Sequence, residues 1–243
     1  MKPFLLLSIR AEPAATTDEH AAFARCLGVD PSQVHRRELG AAPVAADLDD
    51  YAAVLLGGGS FTCSDAEASK SERQLLAERD VRALLDEVVA RDFPFLGACY
   101  GIGTLGTHQG GVVDRTHPEP VGPVVVELTR EGQADPVLEG LPREFAAYGG
   151  HKEALTVPPP HAVVLATSRA CPVQAFRIGH HVYAMQFHPE LDLAGLVTRI
   201  ETYATFGYFD PSQVDALCAA GAAVTVEHPR RILANFAARY RAR

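Results

Sequence analysis

The sequence predicts an α/β fold, with a mostly parallel central sheet covered by helices on both faces and an additional antiparallel β region. Short apolar runs at 4–9, 52–56 and 93–98 alternate with helical periodicity at 16–27 and 72–91, the pattern of strands buried on both faces. From residue 112 the β segments crowd together at 112–113, 124–128, 145–148, 163–166, 173–178 and 182–187, a spacing that calls for mixed or antiparallel pairing. A chain of 243 residues, 47% hydrophobic and 21% charged, suits one substantial core and excludes long disorder, collagen-like repeats and a disulfide-knit miniprotein.

The opening run Phe4-Leu5-Leu6-Leu7-Ser8-Ile9 is too short to span a bilayer and lacks a small-residue cleavage site, so it reads as a first strand in a cytoplasmic protein without a membrane partner. Thr16-Thr17-Asp18 offers a helix N-cap before an apolar pattern through Phe23, Ala24 and Leu27 that stops at Gly28. A second strand is expected over 34–39, and the third, 52–56, runs straight into Gly57-Gly58-Gly59. The stretch 60–71 reads as a polar loop. Leu75, Leu76, Leu84, Leu85 and Val88 then recur at helical spacing, followed by a buried strand over 93–98 and a short helix over 100–108. Helices at 193–206, 211–220 and 229–241 close the chain. No linker, repeat or low-complexity tract interrupts it, and Pro158-Pro159-Pro160 reads as a connection between strands. The expected organisation is a single domain over 1–243, with 193–243 as helices packed on the core.

Asp and Glu total 30 against 22 Lys and Arg, a formal charge of -8, and no basic cluster stands out, which disfavours a nucleic-acid partner. The five cysteines, Cys26, Cys63, Cys99, Cys171 and Cys218, form no C-x-x-C pair and are expected as reduced thiols. Among them, Cys99 alone lies where a buried strand meets a helix, in Gly97-Ala98-Cys99-Tyr100-Gly101. A sharp strand-to-helix turn needs small neighbours, and it projects the side chain from the carboxyl edge of the sheet toward the positive end of the following helix.

A thiol nucleophile needs a base, and the base an orienting acceptor. His188-Pro189-Glu190 follows the apolar run Val182-Tyr183-Ala184-Met185-Gln186-Phe187, so His188 emerges at a strand end where Cys99 can also lie. Pro189 biases His188 toward an extended backbone, which lets Glu190 turn back toward the imidazole. The same tripeptide at His117-Pro118-Glu119 follows no comparable strand and reads as a loop. Gly57-Gly58-Gly59-Ser60 supplies backbone that can approach a reacting centre closely, and an N–H there can pair with that of Tyr100 around an oxyanion. The run has neither Walker nor dinucleotide spacing, so no ATP or NAD site is expected, and no histidine pattern has metal-ligand spacing; cofactor and metal are both expected to be absent.

Gly-Gly-Gly-Ser, then Gly-Ala-Cys-Tyr-Gly, then Gln-Phe-His-Pro-Glu, in this order, resemble the class I glutamine amidotransferases, above all the amidotransferase domain of GMP synthase and its free-standing relatives. The resemblance spans roughly residues 4–190. It implies a flavodoxin-like three-layer sandwich and a Cys-His-Glu triad that hydrolyses the side-chain amide of glutamine. By position, Cys99 is then the nucleophile, His188 the general base and acid, Glu190 the orienting carboxylate, and Gly59 with Tyr100 the oxyanion amides. Gly58, Gly103, Gly150 and His151 are placed around the substrate. Two positions depart from the pattern: Gly103 stands where the family usually has Gln, and Gly150 where it usually has Ser, so the pocket is expected to be roomier or built differently.

Three readings follow: release of ammonia from glutamine, hydrolysis of γ-glutamyl amides or peptides by the same triad, or a catalytically weak regulatory or binding module. The chain is too short to carry a synthetase and lacks its phosphate motif. Any ammonia acceptor is therefore a separate synthetase protein, or there is none. A homodimer is compatible with the sequence.

Overall fold

The computed structural model describes residues 2–41 and 46–241. Met1, 42–45 and 242–243, which the single-domain expectation also spans, lie outside the described residues. Strand β1 (Phe4–Ser8) leads to helix α1 (Pro13–Leu27), β2 (Val34–Glu38), β3 (Ala53–Leu56), α2 (Glu72–Ala90), β4 (Phe95–Ala98) and α3 (Tyr100–His108). The β-rich stretch comprises β5 (Val112–Asp114), β6 (Glu119–Leu128), the one-turn α4 (Arg130–Gln133), β7 (Glu144–His151), β8 (Ala154–Val157), β9 (Val163–Thr167), β10 (Ala175–Ile178) and β11 (Val182–Met185). Helices α5 (Leu193–Thr202), α6 (Val214–Ala222) and α7 (Arg230–Tyr240) follow. Among the described residues no helix is long and apolar enough to cross a membrane.

Among the described residues nine strands form one sheet in the order β2-β1-β3-β4-β11-β10-β9-β6-β7, and β5 pairs with β8 in a separate two-stranded sheet. β2, β1, β3, β4 and β11 pair in parallel, while β11 to β10, β10 to β9, β9 to β6 and β6 to β7 are antiparallel. The predicted change from parallel to antiparallel pairing is thus present, with one step beyond it. After the antiparallel excursion, β11 returns to lie in parallel beside β4, with Met185 opposite Ala98 and Tyr183 opposite Leu96.

Side chains of β1 alternate between two cores, as a strand buried on both faces requires. Phe4 and Leu6 pack with Phe23 and Leu27 of α1 and with Ile232, Leu233 and Phe236 of α7. Leu5 and Leu7 pack with Val81, Leu85 and Val88 of α2 and with Ile102 and Leu105 of α3. This is the three-layer arrangement the sequence predicts.

Local boundaries differ where tertiary contacts override the capping pattern. α1 begins at Pro13, with Pro at its first turn, instead of at the Thr16-Thr17-Asp18 cap, because Thr16 is drawn inward and its hydroxyl donates to the Arg10 carbonyl (3.4 Å). β8 was not predicted; its four residues are stabilised by pairing with β5 rather than by their own pattern. α5 ends at Thr202, four residues before the predicted stop, and the chain turns through Tyr203–Phe209 across the carboxyl edge of the sheet.

Candidate active site

Three parallel strands end side by side, and each delivers one element of the site. β3 passes into Gly57-Gly58-Gly59, β4 into Cys99, and β11 into Gln186-Phe187-His188. The Cys99 amide donates to the Met185 carbonyl (2.7 Å), locking the nucleophile turn to the end of β11. His188 N in turn donates to the Tyr148 carbonyl (2.9 Å), an isolated antiparallel bridge that carries the imidazole inward from β7.

Cys99 has φ 52° and ψ −93°, a left-sided conformation that costs a side-chain-bearing residue on the order of 1–3 kcal/mol. Small neighbours make the turn feasible: a Cβ on Gly97 would lie 2.8 Å from the Gly101 Cα, so strand and helix could not cross as closely with any larger residue. Tyr100 is the first residue of α3, and its N–H has no partner within the helix.

His188 and Cys99 lie side by side on one cavity, and the His188 Nδ1 is hydrogen-bonded to Glu190 Oε1 at 2.8 Å. His188 is 6% exposed and Glu190 1%. Burial alone would depress the imidazolium, but the Glu190 charge and the hydrogen bonds to Cys99 and Glu190 outweigh it and raise His188 to about 9. Burial likewise opposes ionisation of Glu190; His188 and then Arg199 overcome it and hold the carboxyl at about 2. The carboxylate thus fixes which imidazole nitrogen carries its proton inward, leaving Nε2 toward the thiol.

The glycine loop closes over this pair. A Cβ on Gly58 would lie 2.6 Å from His188 Cε1 and 3.0 Å from Cys99 Cβ, so Gly58 backs the imidazole and thiol. Gly59 lines the cavities at Cys99, and a Cβ there would collide with Ile9 at 2.4 Å.

The remaining cysteines are placed differently. Burial pushes the thiols of Cys26 and Cys171 to about 11 and holds that of Cys63 well above its ordinary value. Cys171 lies within 4.8 Å of His151 and Glu119, a second Cys/His/Glu grouping. Its polar atoms are engaged with one another and with the surrounding chain: Glu119 takes bonds from His151 Nε2 (2.9 Å), the Ser168 hydroxyl (2.6 Å) and the Gln174 amide (2.5 Å). The Cys171 thiol donates to the Val173 carbonyl at 3.4 Å. This knot ties the start of β6 to the end of β7, giving the glutamate of the second His-Pro-Glu a place in the fold, while His117 stays at the surface against the Ala170 carbonyl.

Comparison with known proteins shows the family and the fold. The family model for glutamine amidotransferase class-I matches residues 26–198. The chain belongs to the class I glutamine amidotransferase family. It is 38% identical over 98 residues to the glutamine-hydrolyzing GMP synthase of Aeropyrum pernix, covering 40% of this chain and 19% of that one. It is 32% identical over 112 residues to a glutamine-hydrolyzing GMP synthase subunit of Thermococcus kodakarensis, covering 45% and 57%. The match to the Thermosipho africanus GMP synthase, 29% identical over 141 residues, covers 58% of this chain and 24% of the relative. The chain therefore spans about a quarter or less of the full GMP synthases and about half of the GMP synthase subunits it matches. In fold it matches a glutamine amidotransferase from Thermotoga maritima with a TM-score of 0.70 at 19% identity, over 98% of this chain and 99% of that one. A glutamine amidotransferase from Methylobacillus flagellatus matches with a TM-score of 0.68 at 18% identity, over 100% and 95%.

Cys99 stands between two cavities. One, of about 20 Å³, lies on the side of Tyr100, Gly103, His151, Lys152 and Glu153. The expectation that Gly103 makes this side roomier is not met: the space is taken by the Cys63 sulfur and the Glu153 carboxylate, 3.0 and 3.5 Å from where a Cβ would lie. Glu153 is pinned there by the Cys63 and Ser64 amides, both at 2.7 Å. Gly150 has φ +156°, and a Cβ there would meet Val121 at 2.7 Å, so the family's usual Ser does not fit this backbone.

The second cavity, of about 60 Å³, lies on the His188 side. Apart from Gly59, Cys99, Gly150 and His188, its residues were not legible in the sequence. Arg199 of α5 donates to Glu190 Oε1 (3.1 Å), and Arg10, just beyond β1, pairs with Glu19 (2.8 Å) and donates to the Tyr203 hydroxyl (2.9 Å). Tyr208 borders both cavities, its hydroxyl donating to the Gly59 carbonyl (3.0 Å), with the Lys152 ammonium 4.2 Å from its ring centre. No local signal marks these residues, because Arg10 follows β1, Arg199 lies in α5 and Tyr203 and Tyr208 lie in the turn after it, segments that meet only in the packed fold.

Proposed function

We propose that this protein hydrolyses the γ-carboxamide of a glutamine-type substrate through Cys99, His188 and Glu190. The observation that carries this reading is that Cys99 and His188 meet at the adjacent ends of β4 and β11, with the imidazole hydrogen-bonded to the buried Glu190. In the reaction, the Cys99 sulfur attacks the amide carbon while His188 holds the thiol proton. The resulting oxyanion lies between the Tyr100 amide at the start of α3 and Gly59. His188 then gives its proton to the departing nitrogen, the C–N bond breaks and a γ-glutamyl thioester remains. Water attacks the thioester with His188 as base, the C–S bond breaks, and glutamate leaves.

The substrate's α-groups would lie toward the smaller cavity, which Lys152 and Glu153 border, Glu153 keeping its bonds to the Cys63 and Ser64 amides. Burial lowers Lys152 from its ordinary value, and its ammonium donates to the Phe206 carbonyl at 3.0 Å. His151, held between Glu119 and the Glu153 carbonyl (2.8 Å), fixes the segment that carries both groups. The ammonia released from glutamine would pass to a separate synthetase protein in the cytoplasm, a reading supported by the similarity to GMP synthase subunits.

The test is ammonia release from L-glutamine by the purified protein, beside Cys99→Ala and His188→Ala. Turnover in the parent that is lost in both variants is expected. Turnover that survives in Cys99→Ala, or alkylation by a glutamine-like electrophile at Cys171 in preference to Cys99, removes the assignment.

A further inference from the structure

The two cavities at Cys99 divide an amide substrate at its scissile bond. His188 borders only the larger of them, and Tyr100, whose amide the hydrolase reading assigns to the oxyanion, borders only the smaller. The departing nitrogen must receive its proton from His188, so whatever that nitrogen carries extends into the His188-side cavity. For glutamine the nitrogen carries only hydrogen, and a walled cavity of about 60 Å³ at this position would go unused.

We propose that this cavity is a leaving-group subsite and that the protein's substrates are γ-glutamyl amides of neutral, apolar amines; this rests on the hydrolase reading above. The walls are Val121, Leu191, Leu196, Ile200 and Phe209. Two guanidinium groups also border it, which disfavours a cationic amine. Each is already paired with a buried carboxylate, Arg10 with Glu19 and Arg199 with Glu190, while Arg199 Nη1, 3.9 Å from Asp18, and Nε make no hydrogen bond. Tyr208 stands between the two subsites and ties Gly59 in place, so the turn after α5 decides what the amine side accepts. The bonds made and broken are those of the hydrolysis above, with a primary amine leaving in place of ammonia.

The experiment compares L-glutamine with γ-glutamyl methyl-, ethyl- and propylamide, and with arms ending in a carboxylate or an ammonium. Turnover is measured with the parent enzyme, and binding by calorimetry with Cys99→Ser. The expected result is a rise in kcat/KM of up to roughly fourfold per methylene buried, with both charged arms weaker than propyl. Val121→Phe, which fills the cavity, lowers the propylamide-to-glutamine ratio about tenfold, and Phe209→Ala shifts the preference to longer amines. Propylamide that binds Cys99→Ser more tightly than glutamine but is not turned over by the parent keeps the subsite and removes the hydrolase reading. Glutamine turnover without propylamide binding or turnover keeps the hydrolase and overturns the subsite. A preference for a charged arm, or equal effects of Val121→Phe on both substrates, also overturns it, and failure of both compounds to bind overturns both readings.

Discussion

Replacing Glu190 by Gln keeps the shape of the His188 partner and removes its charge, which isolates the feature on which the proposed chemistry depends. His188 stands at about 9 against an ordinary 6.5, although its burial acts in the opposite direction. That rise corresponds to on the order of 3 kcal/mol in favour of the imidazolium. With the charge gone and the burial retained, the His188 midpoint should fall below 6.5, and the imidazolium that protonates the leaving nitrogen would be scarce at neutral pH. Glutamine kcat/KM at pH 7.5 should drop by roughly two orders of magnitude, and its alkaline limb should move from near 9 to the acid side of neutrality. The midpoint is read from the ¹³Cε1 shift of His188 between pH 5 and 10, and the limb from kcat/KM over the same range. A midpoint that stays near 9 in the variant would refute the reasoning, because the Glu190 charge would then not be what holds the proton. Stability supplies an independent check. The raised histidine contributes fully below 6.5 and loses its contribution as pH rises through about 9; the depressed carboxyl contributes above 4.5 and loses it as pH falls through about 2. The stability advantage of the parent over Glu190→Gln should therefore be complete between pH 4.5 and 6.5 and shrink on either side.

Gly58→Ala places a methyl against His188 Cε1 and Cys99 Cβ, and should lower kcat about a hundredfold with near-parent urea unfolding, since a displacement of about 1 Å at a reacting pair is enough; parent-like turnover would show that the loop yields freely. In Gly97→Ala the added methyl meets the Gly101 backbone, which cannot rotate away, so the melting temperature should fall by the equivalent of roughly 1–3 kcal/mol. Tyr208→Phe removes the bond to the Gly59 carbonyl and should reduce kcat up to about tenfold while the fold's stability changes little; an unchanged kcat would mean that Gly59 holds its place unaided. Glu119→Ala leaves His151, Ser168 and Gln174 without their common acceptor, and a loss of roughly 2–4 kcal/mol is expected in denaturant titration.

What could be read directly from the chain is what short segments determine. Apolar runs of strand length at 4–9, 52–56 and 93–98 can only be buried on both faces, and Gly97-Ala98-Cys99-Tyr100-Gly101 admits few structures other than a sharp strand-to-helix turn. The three motifs likewise carried the family resemblance that the comparison supports. The sequence marked His188 and Glu190 as a local pair, but nothing local brings them to Cys99. That proximity comes from β11 returning, after an antiparallel excursion, to pair in parallel with β4. Tertiary structure also gave the two His-Pro-Glu copies different settings, one at the end of a central strand and one in a hydrogen-bonded knot at the start of β6. The space expected beside Gly103 was closed by Cys63 and Glu153, and the larger cavity opened instead on the His188 side, walled by residues from β6, α5 and the turn that follows α5. The physical reason is range: periodicity and capping act within a few residues, whereas a pocket is shaped by side chains from elements distant in sequence, whose meeting only the packed fold decides.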